Sequence, residues 1–178
     1  MDTQHIISEL TLHHDAFIAK LESLSDQDFI RQAGNKWTAG QQLEHIIKSV
    51  KPIDKAFNLP LFVLKMKFGT TDRSNKTYAD LVAEYLEVLK ENQDYVLPEQ
   101  FAPEQIPPHI KHKKMKELVH LIKSINRSIG KIADIHLNTH ILPHPVMGKL
   151  TLREMLYFTI YHVQHHDAQI LENLKIKK

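Results

Sequence analysis

The chain has 178 residues, of which 42% are hydrophobic and 25% are charged, and its formal net charge at neutral pH is +2. This length suits a single domain, residues 1–178, with a substantial core, and so small a charge excludes the strongly basic composition of many nucleic-acid-binding proteins. The chain contains no cysteine, which excludes disulfides, thiolate metal ligands and a nucleophilic thiol carried by the protein itself.

The N-terminal sequence MDTQHIISEL lacks a basic segment followed by an apolar one, so we expect no signal peptide. The longest apolar run, Leu59–Leu64, is far shorter than the roughly 18 residues of a membrane-spanning helix. We therefore expect a soluble, cytoplasmic protein that binds neither membranes nor nucleic acid.

The first half of the chain predicts two long helices with a shorter helical element after them. Apolar residues at helical spacing predict a helix over about 3–23. Thr38 and Gln41 have the capping-box pattern that begins a second helix, and Pro52 is expected to interrupt or kink it. Residues 53–69 are interpreted as one or two short apolar turns.

Further helices are predicted in the second half of the chain. Thr77 caps a third helix that continues to about Leu97, and four prolines make 98–109 a loop. Apolar spacing predicts a fourth helix over about 113–136, followed by a turn-rich loop with the sequence HILPHPVMGK.

A second capping-box pattern, Thr151 with Glu154, begins the last helix, which is predicted to end near Asn173. Alternating apolar and polar residues, the signal of a half-buried strand, are nearly absent. We count five helical runs, and the simplest arrangement for them is an all-α fold: an up-and-down bundle of four main helices with a short extra helical element between the second and the third.

The last predicted helix contains the sequence HVQHHDAQI, residues 162–170. Residues four apart lie on the same side of a helix, so His162 and His166 can bind one ion. His165 points away from them and is expected to be solvated.

An open catalytic metal site normally has three protein ligands, so a third ligand must come from another helix. The candidates are His45 on the second helix and His13 or His14 on the first. His45 lies almost opposite the apolar stripe of its helix, whereas His13 lies on the stripe of the first helix and could equally be a hydrogen-bonded core residue. Periodicity alone leaves the third ligand undecided.

Two stretches, WTAGQQLEHI at 37–46 and HPVMGKLTLREMLYFTIYHVQHHDAQI at 144–170, resemble the DinB-like superfamily of four-helix metalloproteins. In that family a histidine on the second helix follows a W-[ST]-x-x-[EQ] start, and an H-x-x-x-H pair lies on the last long helix. The resemblance implies that the metal ligands of this chain are His45, His162 and His166.

The resemblance also implies a divalent transition metal, found across the family as zinc, nickel, iron or manganese; three imidazoles do not by themselves decide which. The family's known enzymes are S-transferases and isomerases that use a low-molecular-weight thiol such as bacillithiol or mycothiol. We therefore expect a metal that activates a thiol cosubstrate or water against a small electrophilic substrate. The alternative is a non-catalytic metal- or ligand-binding bundle, for instance one related to stress.

Other polar residues lie close to the predicted ligands, and none is assigned as catalytic. Glu44 and Asp167 adjoin two of the ligands but point about 100° away around their helices, so both are expected to face solvent. Trp37 is interpreted as a core plug at the start of the second helix. Side chains that could line the cleft or orient a ligand are Tyr161, Gln164 and Gln169.

Three further segments have simple structural interpretations. The basic run HIKHKKMK, residues 109–116, contains no Phe, Tyr or Trp and predicts a solvated helix start. The terminal KIKK suits the C-terminus of a helix through the helix dipole. The apolar segment LPLFVLKMKF, residues 59–68, is expected to pack in the core, with a substrate entrance or the contact surface of a homodimer as alternatives.

Overall fold

The computed structural model describes residues 1–92 and 96–175. These residues form α-helices, two 3₁₀ turns at Glu99–Phe101 and Pro108–Ile110, and one two-stranded antiparallel sheet. The elements are α1 (Thr3–Ser23), α2 (Asp26–Ile30), α3 (Ala39–Phe57), α4 (Leu61–Phe68), α5 (Tyr78–Glu91), α6 (Lys111–Ile129), α7 (Asp134–Thr139), β1 (Ile141–His144), β2 (Gly148–Thr151) and α8 (Leu152–Lys175). The prediction of an all-α fold is confirmed.

Four long helices form the bundle, and each packs against two of the others. Helix α1 contacts α6 and α8, and α3 contacts the same two helices from the opposite side. Each helix contributes fully buried apolar residues to the core, among them Phe17, Leu43, Leu118 and Leu156. Helix α5 packs on the outside of the bundle against α8.

Both predicted capping boxes are present, but Pro52 does not interrupt its helix. The Thr38 side chain accepts from the backbone N–H of Gln41, whose side chain accepts from the N–H of Thr38. Helix α3 continues through Pro52 to Phe57. A proline inside a helix removes one backbone hydrogen bond, and the burial of Ile53 and Phe57 on the next turn offsets that loss.

The predicted ends of two helices are wrong. Helix α5 ends at Glu91 and Val96 is 85% exposed; residues 93–95 of the predicted helix lie outside the described part of the chain. Helix α6 stops before Gly130, and Ala133 precedes the separate short helix α7 instead of facing the core. Because apolar residues at helical spacing continue across both breaks, periodicity alone could not show where these helices end.

The predicted turn-rich loop at 140–149 is in fact part of a β-hairpin. Strand β1 pairs with β2 in a register that places His144 opposite Gly148, so three residues form the connection. Gly148 has a φ of +70°, the left-handed conformation that closes a three-residue hairpin loop.

A buried carboxylate fixes the start of α8. Glu154 is fully buried and accepts two hydrogen bonds from the Arg73 guanidinium and one each from the backbone N–H groups of Lys76 and Thr151. Burial alone would raise the pKa of Glu154, but these hydrogen bonds outweigh it and lower the pKa. The segment before α5 is thereby attached to the first turn of α8.

The basic run is not simply solvated. Lys111 is 4% exposed, and its ammonium donates to the carbonyl oxygen of Leu24 at 2.8 Å and lies 5.3 Å from the centre of the Phe29 ring. Lys114 forms an ion pair with Glu44 at 2.8 Å. These lysines join α6 to its neighbours.

The apolar segment at 59–68 is only partly in the core. Leu64 is fully buried, whereas Phe62 and Met66 are 70% and 76% exposed; contact with a second subunit stays a prediction. Within 1–92 and 96–175, no helix has the length and apolar character needed to cross a bilayer. Of the terminal KIKK, residues 176–178 lie outside the described part of the chain.

Candidate metal centre

Three imidazoles converge between α3 and α8. The Nε2 atom of His162 lies 3.2 Å from Nε2 of His45 and 3.0 Å from Nε2 of His166. Potential ligand atoms of the three rings all lie within 4.8 Å of one another. The side chains are buried, with exposures of 5%, 6% and 5% for His45, His162 and His166. We refer to these residues as the three-histidine cluster.

His45 reaches the cluster because α3 is buried on more than one side. Helical periodicity correctly placed His45 away from the apolar stripe that contains Leu43 and Ile47. The face of α3 opposite that stripe is nevertheless covered, because it packs against α8 and the 3₁₀ turn at Glu99–Phe101. The inference that such a position faces solvent holds only for a helix that packs on one side. Glu44 is also buried, paired with Lys114, and the prediction that it faces solvent is wrong.

Hydrogen bonds fix the outer nitrogen of two of the three rings. Nδ1 of His45 lies 2.9 Å from the carbonyl oxygen of Phe101, and Nδ1 of His166 is hydrogen-bonded to Oε1 of Gln42. Both partners are acceptors, so each Nδ1 carries the proton and donates it. Nε2 of His45 and of His166 is then the unprotonated nitrogen, with its lone pair directed toward His162.

A chain of amide side chains holds Gln42 in this orientation. Its Nε2 donates to Oε1 of Gln169 at 3.0 Å, and Nε2 of Gln169 is 2.8 Å from Nε2 of His165. Gln169 was a sequence candidate for orienting a ligand; Gln42, which contacts His166 directly, was missed. A usable signal was present, because Gln42 lies three residues before His45 and shares its side of the helix.

The protonation and the spacing of the three Nε2 atoms show whether a metal ion fits between them. Nε2 of a neutral His162 carries at most one proton, yet the lone pairs of His45 and His166 both point toward it, so at least one of these two lone pairs has no donor. A cation satisfies all three nitrogens at once. Zinc–nitrogen bonds of about 2.0–2.1 Å in a tetrahedral site place two ligand nitrogens roughly 3.3 Å apart, close to the observed spacings. The donor set and its geometry fit a divalent transition metal.

The electrostatics favour neutral rings, the form that binds metals. Burial lowers the pKa of His45. Burial and the neighbouring imidazoles lower the pKa of His162 and His166 well below 6.5. At neutral pH all three rings are therefore uncharged, and a bound dication would keep a net charge near +2.

Aromatic rings enclose the cluster. Trp37 stacks on His166 with 6.1 Å between ring centroids and an interplanar angle of 10°. Phe158 stacks on His162 at 4.7 Å. Trp37 is thus a wall of the site and not only a plug at the start of α3.

Two cavities of different character meet at the cluster. One, of about 450 Å³, which we call the polar cavity, has charged and polar side chains in its lining, among them Lys36, His165 and Glu172. The other, of about 550 Å³, is mainly apolar and lies toward the β-hairpin. His45 and His162 line both cavities, so a metal bound there would be accessible from either side.

The remaining sequence candidates lie elsewhere or have different surroundings. The buried histidine of α1 is His14, whose Nδ1 is 2.8 Å from the Leu10 carbonyl oxygen, whereas His13 is half-buried beside Glu9. Neither belongs to the three-histidine cluster. The placement of His13 on the apolar stripe was therefore wrong by one residue.

The residues next to the ligands on α8 are less exposed than predicted. His165 is half-buried at the edge of the polar cavity, not fully solvated. Asp167 accepts from Lys20 on α1 at 2.5 Å and is half-buried. Gln164 donates to the Tyr78 hydroxyl at 3.0 Å, which ties α5 to α8.

The fold and the cluster define a class of protein: a helical bundle whose cleft carries three converging imidazoles. The sequence model of the DinB superfamily matches residues 9–170, and the chain belongs to this superfamily. Comparison with individually curated proteins gives no significant match.

Proposed function

We propose that His45, His162 and His166 bind a divalent transition metal and that the site activates a nucleophile against a small electrophilic substrate. The observation that carries the proposal is the set of three Nε2 atoms 3.0 and 3.2 Å apart, two of them with lone pairs fixed by hydrogen bonds on the far side of the ring. A buried group of this kind lacks a partner that a cation would provide.

A metal with three neutral protein ligands supplies a Lewis acid and lowers the pKa of a bound thiol or water toward neutrality. The protein's part is to hold the three rings in place, with Gln42 and the Phe101 carbonyl group fixing their orientation. Trp37 and Phe158 stack on His166 and His162 and help to hold these rings in place. The proposed nucleophile is a low-molecular-weight thiol or water, and a thiol would have to come from a cosubstrate because the chain has no cysteine of its own.

The polar cavity suits the thiol cosubstrate. Asn35, Lys36 and Glu172 offer donors and acceptors to a hydrophilic molecule whose sulfur approaches the cluster. The thiolate then attacks the electrophilic carbon, a carbon–sulfur bond forms, and the leaving group departs with the electron pair of its bond. The thiol proton passes to solvent.

Elemental mass spectrometry on untagged protein purified without chelator tests the metal site. We expect about one transition metal per chain in the wild type and its loss in His162→Ala. His165→Ala is the matched control, since it removes the adjacent imidazole and leaves the cluster complete. Retention of the metal by His162→Ala would contradict the ligand assignment.

Turnover tests the reaction separately from binding. The metal-loaded protein is incubated with bacillithiol or mycothiol and a chlorodinitrobenzene, and thioether formation is followed by absorbance. We expect a rate that exceeds the uncatalysed one and is lost with the metal. Metal binding without such turnover, and without hydrolysis of activated esters, would favour the non-catalytic alternative.

A further inference from the structure

The apolar cavity beside the cluster, which we call the apolar chamber, has a volume of about 550 Å³ and is large enough for a small organic molecule. Its described lining contains no lysine, arginine, aspartate or glutamate. Burying an unpaired charge there would be costly, so an uncharged ligand is favoured. Apolar side chains of the lining include Ile53, Ala56, Phe68, Met155 and Phe158.

His144 brings one polar group to this chamber. It is the last residue of β1, it lines the chamber, and its ring packs edge-to-face on Phe158 with 4.2 Å between centroids. The backbone N–H groups of Val146 and Met147 donate to its Nδ1 at 3.3 and 3.1 Å. Since Nδ1 is the acceptor, a neutral ring carries its proton on Nε2.

The Nε2–H group of His144 has no hydrogen-bond partner among residues 1–92 and 96–175. A donor beside an apolar volume favours a ligand that supplies an acceptor and disfavours one that leaves the donor unpaired. The hairpin loop therefore selects one tautomer and presents one fixed donor.

We propose that the apolar chamber binds an uncharged, largely apolar small molecule and that His144 Nε2–H donates a hydrogen bond to a carbonyl-type acceptor on it. The claim that this molecule is the electrophilic substrate rests on the proposed function. The claim that the chamber binds such a molecule does not require a metal. His144 would be a substrate-positioning residue, and a donor on the carbonyl oxygen also draws electron density from the carbon that a nucleophile attacks.

Binding can be measured by displacement of the uncharged fluorophore N-phenylnaphthylamine from the full chain. The competitors are a long-chain methyl ketone, the alkane of equal length and the carboxylate of equal length. One neutral hydrogen bond corresponds to roughly a three- to tenfold change in Kd. We expect the ketone to bind tighter than the alkane by about that factor and, in the metal-free protein, the carboxylate to bind weakest.

His144→Phe removes the donor and keeps an aromatic ring. It should abolish the advantage of the ketone over the alkane while the fluorophore still binds. His120→Phe, an exchange at an exposed position of α6, is the matched control and should keep the preference for the ketone. A preference for the ketone that survives in folded His144→Phe would overturn the assignment to His144.

His144→Phe also leaves two backbone N–H groups without their acceptor and could unfold the hairpin, so a measurement on the wild type is paired with it. In ¹⁵N-labelled protein, the His144 signals should show the Nε2–H tautomer, and the ketone, but not the alkane, should shift the Nε2 resonance. The Nδ1–H tautomer, or no shift at saturating ketone, would overturn the proposal. Running both assays with and without metal separates the two claims: failure of the metal site leaves ketone binding intact, and failure of the chamber leaves metal binding intact.

Discussion

Gln42 is the residue whose replacement tests most directly how the protein prepares the three-histidine cluster. It is 1% exposed, accepts the Nδ1–H hydrogen bond of His166 and donates to Gln169. Gln42→Leu keeps a side chain of similar size and removes both interactions. His166 then has a buried N–H without an acceptor, which lowers the free energy of unfolding by about 1–3 kcal/mol if the ring keeps its Nδ1–H tautomer.

The ring has an alternative that lowers this cost. Moving the proton from Nδ1 to Nε2 relieves the unpaired N–H, but it protonates the nitrogen that the metal needs. Binding a metal must then reverse the tautomer and leave Nδ1–H unpaired. We therefore expect the zinc Kd of Gln42→Leu to rise by about 10- to 100-fold, which corresponds to roughly 1.4–2.7 kcal/mol.

The assay is a zinc competition titration against a chromophoric chelator at neutral pH. Gln42→Glu, which keeps an acceptor on the same side chain, should bind zinc at least as tightly as the wild type. Gln164→Leu is the control, because that residue makes its hydrogen bonds to Tyr78 and the Ile160 carbonyl oxygen instead. A zinc Kd for folded Gln42→Leu within about twofold of the wild type would show that the hydrogen bond does not set the tautomer.

Two further predictions concern stability. Glu154→Leu leaves the Arg73 guanidinium and two backbone N–H groups without their carboxylate. Because the Arg73 side chain is 36% exposed, water screens part of its charge, and we expect the free energy of unfolding in urea to fall by about 3 kcal/mol. Arg73→Met should have little further effect in the Glu154→Leu background. Burial lowers the pKa of His14 to about 4 from 6.5, so as the pH falls from 6.5 to 4 only the unfolded state takes up this proton, and stability decreases by up to roughly 1.4 kcal/mol per pH unit. His14→Leu should remove that part of the slope, with His120→Leu, at an exposed position, as the control for losing an imidazole; a slope equal to the wild type would contradict the burial of His14.

Local sequence signals predicted the helix starts well and the later breaks poorly. Thr38 and Thr151 begin their helices because a side-chain oxygen and an N3 acceptor are both encoded within four residues. Pro52 was expected to interrupt or kink α3, but the helix continues to Phe57 because tertiary packing overrides a local preference of only a few kcal/mol. The hairpin at 141–151 was missed because its strands have four residues each, too few for a period of two to be detected.

Two of the three predicted ligands follow from spacing, and the third does not. His162 and His166 are four residues apart on one helix, so local geometry alone brings them together. His45 depends on how α3 packs against α8, and a helical wheel contains no such information. The resemblance to a family was needed to choose it over His13 and His14, because a family pattern reflects tertiary contacts that one helix does not encode.

The cluster also indicates where folding and metal binding are coupled. Without an ion, at least one Nε2 lone pair of the cluster lacks a donor inside a buried site, which weakens the contact between α3 and α8. An ion bound to the native state alone would offset this cost and raise stability by RT ln(1 + [metal]/Kd), about 2.7 kcal/mol at one hundred times Kd. The same three rings would be costly in the empty protein and stabilising in the loaded one, as expected of residues arranged for a ligand and not for packing.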